Sequence, residues 1–368
     1  MGGGAEDERQ ILVHRRHELT SLPIPDELTL DIFLRLPIPA DLVRASAACV
    51  SFRRLIADRS FLRRFRNLHA PPLLGFLEQD TKVFHPVASP HPSAPEARAA
   101  ALAADFSFSF LPGPARDWLV KDMRDGRVLL DRPPEHDIDN RYKVVFSELV
   151  VCDPLHRRYI LLPLIPAHLA TTVEHPIRSA AHNHRCCETF LSVIWMAQCR
   201  TKLVAFVFSS STGQWCAISS QSWSDLFAGL PSSIRWPLFF GRHCAYGCFY
   251  WVNSSMEKLL VLDTRRMEFS ISEPPHEIKG LLNEDIAIVE AGEGRPGMFV
   301  GPENTNHLNY YVRRNNGGSS SHWRFVKTVP LDFECLLMDS RGRHLFLFKC
   351  ESSSLDVGLL SLDADIPS

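Results

Sequence analysis

The sequence lacks any long hydrophobic run and any marked excess of one charge. No apolar stretch approaches the roughly 18 residues of a membrane-spanning helix, and the opening MGGGAEDERQ has no apolar core typical of a secretory signal. Gly2 begins a myristoylation pattern, but Glu6 stands where Ser or Thr is needed. The net charge of −2 provides no global attraction for nucleic acid. We expect no membrane or nucleic-acid partner and a cytoplasmic and/or nuclear location.

Motifs for catalysis and metal binding are missing as well. His182–Cys187 collects metal-ligand residue types, but adjacent ligands converge poorly, and no second pair with Cys-x2-Cys spacing exists. We interpret this segment as a loop between strands. Gly292–Gly297 fits GxGxxG by letters, yet Pro296 and the strand-like residues after it do not open a helix. We expect no catalytic residue, cofactor or metal, and mostly buried, reduced thiols for the ten scattered cysteines.

The stretch from Ser21 to Phe65 is strongly helical in pattern, and residues 1–20 before it have little to bury. Leu28, Ile32 and Leu36 recur every four residues, which predicts one inward apolar stripe on a helix that Pro37 ends. Residues 1–20 are expected to be a disordered lead-in. The helical module is predicted to span residues 21–68.

Two further helices are expected after this first one. Asp41 is a plausible N-cap for a helix that continues to Ile56 without Gly or Pro, and Asp58 can cap a third helix. In the third helix Phe61, Leu62 and Phe65 are predicted to face inward. Six arginines are predicted to lie on the outer face of this end: Arg53, Arg54, Arg59, Arg63, Arg64 and Arg66.

These short helices carry more apolar residues than one internal stripe needs. Such leftover apolar surface on a small unit usually docks on something. From the pattern alone it could pack on the protein's own C-terminal region or bind a separate partner. The leftover residues are Ile24, Phe33, Leu34, Ile38, Val43 and Val50.

The same stretch resembles the F-box motif. Ile24–Leu28 matches the family's opening Leu-Pro-x-x-Leu, and Ile32 with Leu36 and Pro37 matches its middle section. Asp41–Arg44 matches its Asp-Leu-x-Arg. The closing Val-Cys-x-x-Trp-Arg is only partly matched, since the order of Cys49 and Val50 is reversed and Phe52 stands at the usual Trp position.

This resemblance implies a module that does no chemistry and docks on the Skp-type adaptor of a cullin–RING ubiquitin ligase. The chain would then be the ligase's substrate receptor. The implied adaptor-binding residues are Ile24, Pro25, Leu28, Ile32, Leu36, Pro37, Leu42, Cys49, Val50 and Phe52.

Residues 69–368 change to short apolar, β-branched and aromatic runs between turns, with a Pro- and Ala-rich excursion at 86–105. Hairpin turns near Leu155, Ser211, Thr264 and Gly317 recur roughly every 50 residues, and further strands precede each hairpin. This spacing is typical of propeller blades. We therefore predict an α+β multidomain chain in which a three-helix F-box module precedes a large all-β, propeller-like domain.

The expected propeller has five or six blades. The last one is expected to be one strand short, and Phe106–Pro112 is predicted to supply the missing strand and so remove two open sheet edges. An irregular β-sandwich is the alternative fold. The Asp153-Pro154 turn and the Leu162-Pro163 ending also resemble the F-box-associated β-domains common in plant F-box families, and this likeness implies a bound protein substrate.

Two other functions stay open at this point. The chain could be a non-catalytic interaction scaffold, with the F-box-like helices capping its own β-domain and no role in ubiquitination. It could also be a propeller enzyme, which would need carboxylates or histidines that converge at one mouth of the ring. The sequence does not show such a set.

Overall fold

A computed structural model describes most of the chain, which forms two compact units. The first unit comprises Met1–Leu74 with Ala88–Ala97, and the second comprises Gly75–Val87 with Arg98–Ser368. We call residues 24–69 the helical unit and the second unit the β unit. The predicted lead-in, residues 1–20, lies outside the described part. The structure describes residues 24–69, 72–89, 91–132, 146–187, 190–228, 238–282, 285–301, 305–314, 322–332, 334–350 and 355–361.

The helical unit contains four helices rather than the three predicted. Cys49 has an extended backbone, with φ −156° and ψ 164°, and it interrupts the expected second helix. Its sulfur then accepts a hydrogen bond from the Phe52 N–H, so Cys49 caps the helix that follows. The helices are α1 (Asp26–Leu34), α2 (Pro39–Ala48), α3 (Val50–Ile56) and α4 (Arg59–Leu68).

The predicted N-caps have different outcomes. Asp58 caps α4, because its carboxylate accepts hydrogen bonds from the backbone N–H groups of Ser60 and Phe61. Asp41 does not cap α2. That helix already begins at Pro39, where a missing N–H is tolerated, and Asp41 instead binds Arg44 one turn on at 2.6 Å.

A small aromatic core holds the four helices together. The ring of Phe33 meets that of Phe52 edge to face at 5.0 Å and lies 6.4 Å from that of Phe61. Leu28 and Ile32, expected on the inner stripe, are exposed. The face that turns inward is instead the neighbouring one, which carries Phe33. The sequence pattern alone could not distinguish this face from the face of Leu28 and Ile32. The buried core residues are Phe33, Leu34, Leu42, Ile56, Phe61 and Phe65.

The β unit begins with a hairpin, in which β1 (Gly75–Leu77) pairs with β2 (Phe84–Pro86) as a separate two-stranded sheet. The helix α5 (Ala94–Ala103) lies within the predicted excursion, and its residues 94–97 belong to the first unit while 98–103 belong to the β unit. Two further short helices are α6 (Ala167–Ala170) and α7 (Trp223–Leu226). None of the described helices is long and apolar enough to cross a membrane.

In the described part of the chain, five antiparallel sheets follow in chain order, and each is built from consecutive strands. Counted over those residues, the last sheet has three strands, as the sequence predicts, and the others have four. The first sheet contains β3 (Leu119–Arg124), β4 (Arg127–Arg132), β5 (Glu148–Asp153) and β6 (Arg158–Leu161), and the second contains β7 (Pro176–Cys187), β8 (Phe190–Cys199), β9 (Lys202–Ser209) and β10 (Gln214–Ser222).

The remaining sheets repeat this order. The third contains β11 (Phe239–Ala245), β12 (Cys248–Asn253), β13 (Leu259–Asp263) and β14 (Glu268–Ser272). The fourth contains β15 (Ile286–Glu290), β16 (Pro296–Val300), β17 (His307–Arg314) and β18 (His322–Pro330). The fifth contains β19 (Cys335–Arg341), β20 (His344–Cys350) and β21 (Leu355–Ser361).

Successive sheets stack face to face through alternating side chains. In β8, Trp195 belongs to the core shared with the first sheet, while Ile194 belongs to the core shared with the third. The fourth sheet likewise uses Ile288 toward the third sheet and Val289 toward the fifth. The first strands contact one another, β3 with β7, β11 with β15 and β15 with β19. This is the blade arrangement of a propeller and confirms the predicted fold class.

The predicted closing strand is wrong. Phe106–Pro112 forms a series of turns, and its aromatic side chains pack against the first sheet instead. Phe106 stacks on Phe84 of β2 at 4.5 Å, and Phe76 of β1 lies 5.6 Å from Phe346 in the fifth sheet. The hairpin β1–β2 thus contacts the sheet that is one strand short, through side chains rather than through ladder hydrogen bonds.

A buried ion pair links the first strands of the first and third sheets. The guanidinium of Arg242 donates two hydrogen bonds to the Asp122 carboxylate, at 2.6 and 2.8 Å. Both residues follow irregularities in their strands, between Val120 and Asp122 and between Phe240 and Arg242. Gly241, with φ of 49°, lies in the second of these bulges. The bulges therefore aim the two charges at each other.

We expect Phe33→Ala to loosen the helical unit and Leu28→Ala to leave it unchanged. Removing the buried ring deletes contacts with two other rings and should cost roughly 3 kcal/mol, whereas an exposed leucine should cost under about 0.5 kcal/mol. Hydrogen exchange of α1–α4 amides, followed by mass spectrometry on the full chain, measures both effects. Equal protection in the two variants would show that Phe33 does not hold this core.

We expect Asp122→Ala to destabilise the β unit by roughly 3 kcal/mol, because it leaves the Arg242 guanidinium buried without its carboxylate partner. The double variant Asp122→Leu/Arg242→Met should recover most of this loss, since no charge then remains buried. Chemical denaturation of the full chain, followed by tryptophan fluorescence, gives the midpoints. A midpoint for Asp122→Ala equal to that of the unmodified chain would mean that the pair contributes no net stability.

Candidate functional site

The helical unit exposes more apolar surface than a unit of its size needs. Leu28 and Ile32 are 55% and 52% exposed and lie one turn apart on the same face of α1. On α2 and α3, Val43 and Val50 are 68% and 76% exposed. We call six of these residues the exposed apolar set: Ile24, Leu28, Ile32, Ile38, Val43 and Val50.

The local sequence explains why these side chains point outward. Phe33 and Leu34 directly follow Ile32 in α1, and both are buried. A helix turns about 100° per residue, so a core built on Phe33 and Leu34 leaves the row of Leu28 and Ile32 on another face. Four of the six leftover residues in the sequence are exposed, while the other two, Phe33 and Leu34, form the core.

The other residues that the F-box resemblance implied take varied positions. Pro25 and Pro37 are exposed, and Leu36 and Phe52 are partly buried against the core of the helical unit. Cys49 is also partly buried and caps α3. Leu42 is buried in that core, so it cannot serve as an exposed contact without a rearrangement of the helices.

The helical unit also carries exposed ion pairs. Arg54 pairs with Asp26 at 3.2 Å and Arg64 with Asp31 at 3.5 Å, and all four side chains are mostly exposed. Such pairs contribute at most about 1 kcal/mol each to stability. Hydrogen bonding from the Ser60 side chain, followed by the Phe61 and Ser60 N–H groups, lowers the pKa of Asp58. The arginines predicted to lie outside are all exposed.

The β unit offers little for chemistry in the part that the structure describes. Within those ranges, no three His, Cys, Asp or Glu side chains are grouped so that they could hold a metal ion. His182–Cys187, interpreted as a loop, lies in strand β7, and its side chains fall outside the description. The sequence predicts that Gly292–Gly297 is a loop that opens no helix. Gly292–Arg295 forms a turn, whereas Pro296 and Gly297 already belong to strand β16.

Thiols of the β unit are mostly unsuited to nucleophilic chemistry. Burial raises the pKa of Cys152 to about 12 and also raises the pKa of Cys199 and Cys248. Cys216 differs because it is exposed, in β10. The expectation of buried cysteines therefore holds for Cys152 and Cys199 but not for Cys216.

One small cavity lies beside the first strands of the second and third sheets. Its volume is about 60 Å³, far below the several hundred Å³ of a typical organic ligand site. Gln198 bonds both the N–H and the C=O of Phe239, at 2.9 and 2.8 Å, and the guanidinium of Arg178 lies 4.9 Å from the ring centre of Phe240. The Gln198 side chain on its wall is thus already paired, and the volume suits water rather than an organic substrate.

Comparison with known proteins bears mainly on the helical unit. The family model described as F-box-like matches residues 23–67. No curated protein matches the chain. The match includes α1, α2 and α3 and all but the last residue of α4.

Solved structures similar to the chain share little sequence with it. A putative 6-phosphogluconolactonase from Bacteroides uniformis is 12% identical, with a TM-score of 0.36 over 69% of this chain and 70% of its own. A nidogen/laminin complex is 12% identical, with a TM-score of 0.34 over 70% of this chain and 80% of its own. An intramolecular trans-sialidase from Ruminococcus gnavus is 12% identical, with a TM-score of 0.38 over 60% of this chain and 51% of its own. The chain therefore spans about half of that protein. Likeness this distant says nothing about activity.

The helical unit and the family match therefore agree. Residues 23–67 are an F-box-like domain, and the chain continues from it into a large unit of antiparallel sheets.

Proposed function

We propose that this chain is the substrate-recognition subunit of a Skp–cullin–F-box type ubiquitin ligase, acting in the cytoplasm and/or the nucleus. The observation that carries the proposal is the exposed apolar set on an F-box-like domain. F-box domains bind Skp-type adaptors, and an adaptor is the partner that would cover these side chains. The domain itself performs no chemistry.

The composition of the helical surface supports a protein partner. Stable protein interfaces combine an apolar centre with a polar rim and bury about 1,600 Å² in total. Leu28 and Ile32 on α1 and Val43 and Val50 on the following helices supply apolar contacts. The ion pair between Arg54 and Asp26 is mostly exposed and suits a rim.

The β unit would hold the protein substrate in this proposal. Catalysis would then be positional, because a receptor raises the effective concentration of substrate lysines near the ubiquitin-charged enzyme on other subunits. The association of an F-box module with a C-terminal β unit of the plant F-box-associated type is part of the same proposal. The F-box-like domain favours this receptor role over the alternative in which the β unit is a propeller enzyme.

Capture of the Skp-type adaptor tests the proposal. We expect the purified full chain to retain the adaptor at micromolar concentration, and Leu28→Asp and Val50→Asp each to weaken retention at least about tenfold. A buried charge at the interface would lose its hydration without gaining a partner. Leu102→Asp is the matched control, since Leu102 is also an exposed leucine on a helix, α5. It should bind like the unmodified chain.

Two outcomes would count against the adaptor role. Retention by both aspartate variants would show that the exposed apolar set is not the binding surface. Failure of the unmodified chain to retain any adaptor would instead favour the non-catalytic scaffold, with the F-box-like helices serving its own architecture. Hydrogen exchange of α1–α4 separates a folded variant that does not bind from an unfolded one.

A further inference from the structure

The outermost strand of the first sheet, β6, has no buried side chain on either face. All four of its residues are exposed, and three of them, Tyr159, Ile160 and Leu161, are large and apolar. Leu155 and Leu164, which flank the strand, are exposed as well. Scattered apolar residues are normal on a surface, but five within ten positions of one edge strand form a patch.

The outermost strands of the next three sheets differ from β6. Each of them buries at least one large side chain: Trp215 and Ile218 in β10, Phe269 in β14 and Val329 in β18. Phe325 and Val326 of β18 are also exposed, at 48% each, but β18 still buries Val329. Among these four outermost strands, only β6 has no buried side chain.

Side-chain rows of the first sheet run from its core straight out to β6. Val128, Cys152 and Tyr159 are cross-strand neighbours, and their exposure rises from 0% and 1% to 45%. On the other face, Val151 is buried and its neighbour Ile160 is 53% exposed. A further strand beside β6 would extend both rows and cover their exposed ends.

The backbone of β6 is also arranged to receive a strand. The Leu162 N–H donates to the Leu149 C=O at 2.9 Å, so Leu162 faces β5. Because backbone groups alternate in direction along an antiparallel strand, Ile160 also faces β5, while Tyr159 and Leu161 direct their N–H and C=O groups outward. Within the described residues, β6 pairs with β5 alone. Pro163, which has no N–H, limits the free edge to about four residues.

The charge at the start of this edge is positive. Arg157 and Arg158 are both exposed, and among the described residues no carboxylate forms an ion pair with Arg158. Asp153, the cross-strand neighbour of Arg158, instead accepts hydrogen bonds from the His156 N–H and ring nitrogen at 3.1 and 2.8 Å. An added strand would thus meet apolar side chains along its length and a basic group at one end.

We propose that β6 is the docking edge for an extended segment of the protein substrate, one that alternates apolar and acidic side chains. The segment pairs with Tyr159 and Leu161 as a fifth strand. Its apolar side chains cover the face of Tyr159 and Leu161, and its carboxylates lie on the opposite face, which Ile160 shares with Arg158. This rests on the proposed function only in that the segment belongs to a substrate. The binding itself needs no adaptor.

Peptide binding to the full chain, without adaptor, tests this docking edge. The probe is a fluorescent, end-capped decapeptide of alternating Val and Glu, compared by anisotropy with a peptide in which Lys replaces each Glu. We expect the Glu peptide to bind about tenfold more tightly, and Arg158→Glu to reverse this preference. Arg266→Glu is the control, because Arg266 is an exposed arginine in the equivalent hairpin turn of the third sheet. Its N–H bonds Asp263 as the N–H of His156 bonds Asp153.

Removal of the edge hydrogen bonds tests the added strand separately from the charge. Leu161→Pro deletes an outward-facing N–H and should weaken the Glu peptide about tenfold. Should that variant fail to fold, a Glu peptide with alternate N-methylated residues provides the same test on the unmodified chain. N-methylation at the positions that face β6 should abolish binding, and the opposite alternation should leave it intact.

Several results would overturn the docking edge. They are equal affinity for the Glu and Lys peptides, equal weakening by Arg266→Glu, and no effect of either backbone change. A concentration-dependent dimer that Leu161→Pro abolishes would assign the edge to a second copy of the chain instead. Peptide binding without adaptor capture would overturn the ligase role and leave the docking edge standing, so the two failures are distinguishable.

Discussion

The fold of the β unit depends on one constraint: a sheet that lies between two other sheets must bury both of its faces. Strand β8 shows how the sequence meets this constraint, because Ile194 and Trp195 are adjacent in the chain and belong to two different cores. A strand covered on one side would alternate apolar with polar residues, whereas these inner strands are apolar nearly throughout. The stacking of successive sheets follows from that requirement. The bulges that aim Asp122 and Arg242 at each other add a polar link between first strands.

The same constraint makes exceptions informative. At other outermost strands an apolar side chain packs into the core, as Phe269 of β14 does. At β6 the rows of the core continue outward and end on exposed Tyr159 and Ile160. The helical unit shows a comparable excess, since Phe33 and Leu34 satisfy its core while Leu28 and Ile32 do not contribute to it. Apolar surface that a unit does not need for folding is the common basis for both proposed binding surfaces.

Much of the architecture could be predicted from the sequence because it depends on local chemistry. Turn residues and apolar runs located the hairpins of the sheets, and their regular spacing indicated the blades. Asp58 was recognisable as a helix cap because capping requires only its own N–H neighbours. The sequence did not indicate that a helix ends at Cys49, because the helical pattern continues through this residue without Gly or Pro. Phe106–Pro112 resembled a strand because alternating aromatics look alike in a strand and in a packed turn.

By itself the sequence determined that a helical region precedes a β region, that hairpins recur along the β region and that the helical region carries an F-box-like motif. Period, turn chemistry and motif spacing can all be read along the chain. Only the tertiary structure decided which face of α1 is buried, since Leu28 and Ile32 are as apolar as Phe33 and Leu34 beside them. Phe33 faces inward because its ring packs against the rings of Phe52 and Phe61. The tertiary structure also decided that β6 is uncovered. Exposure depends on what packs against a strand, and no local pattern encodes that.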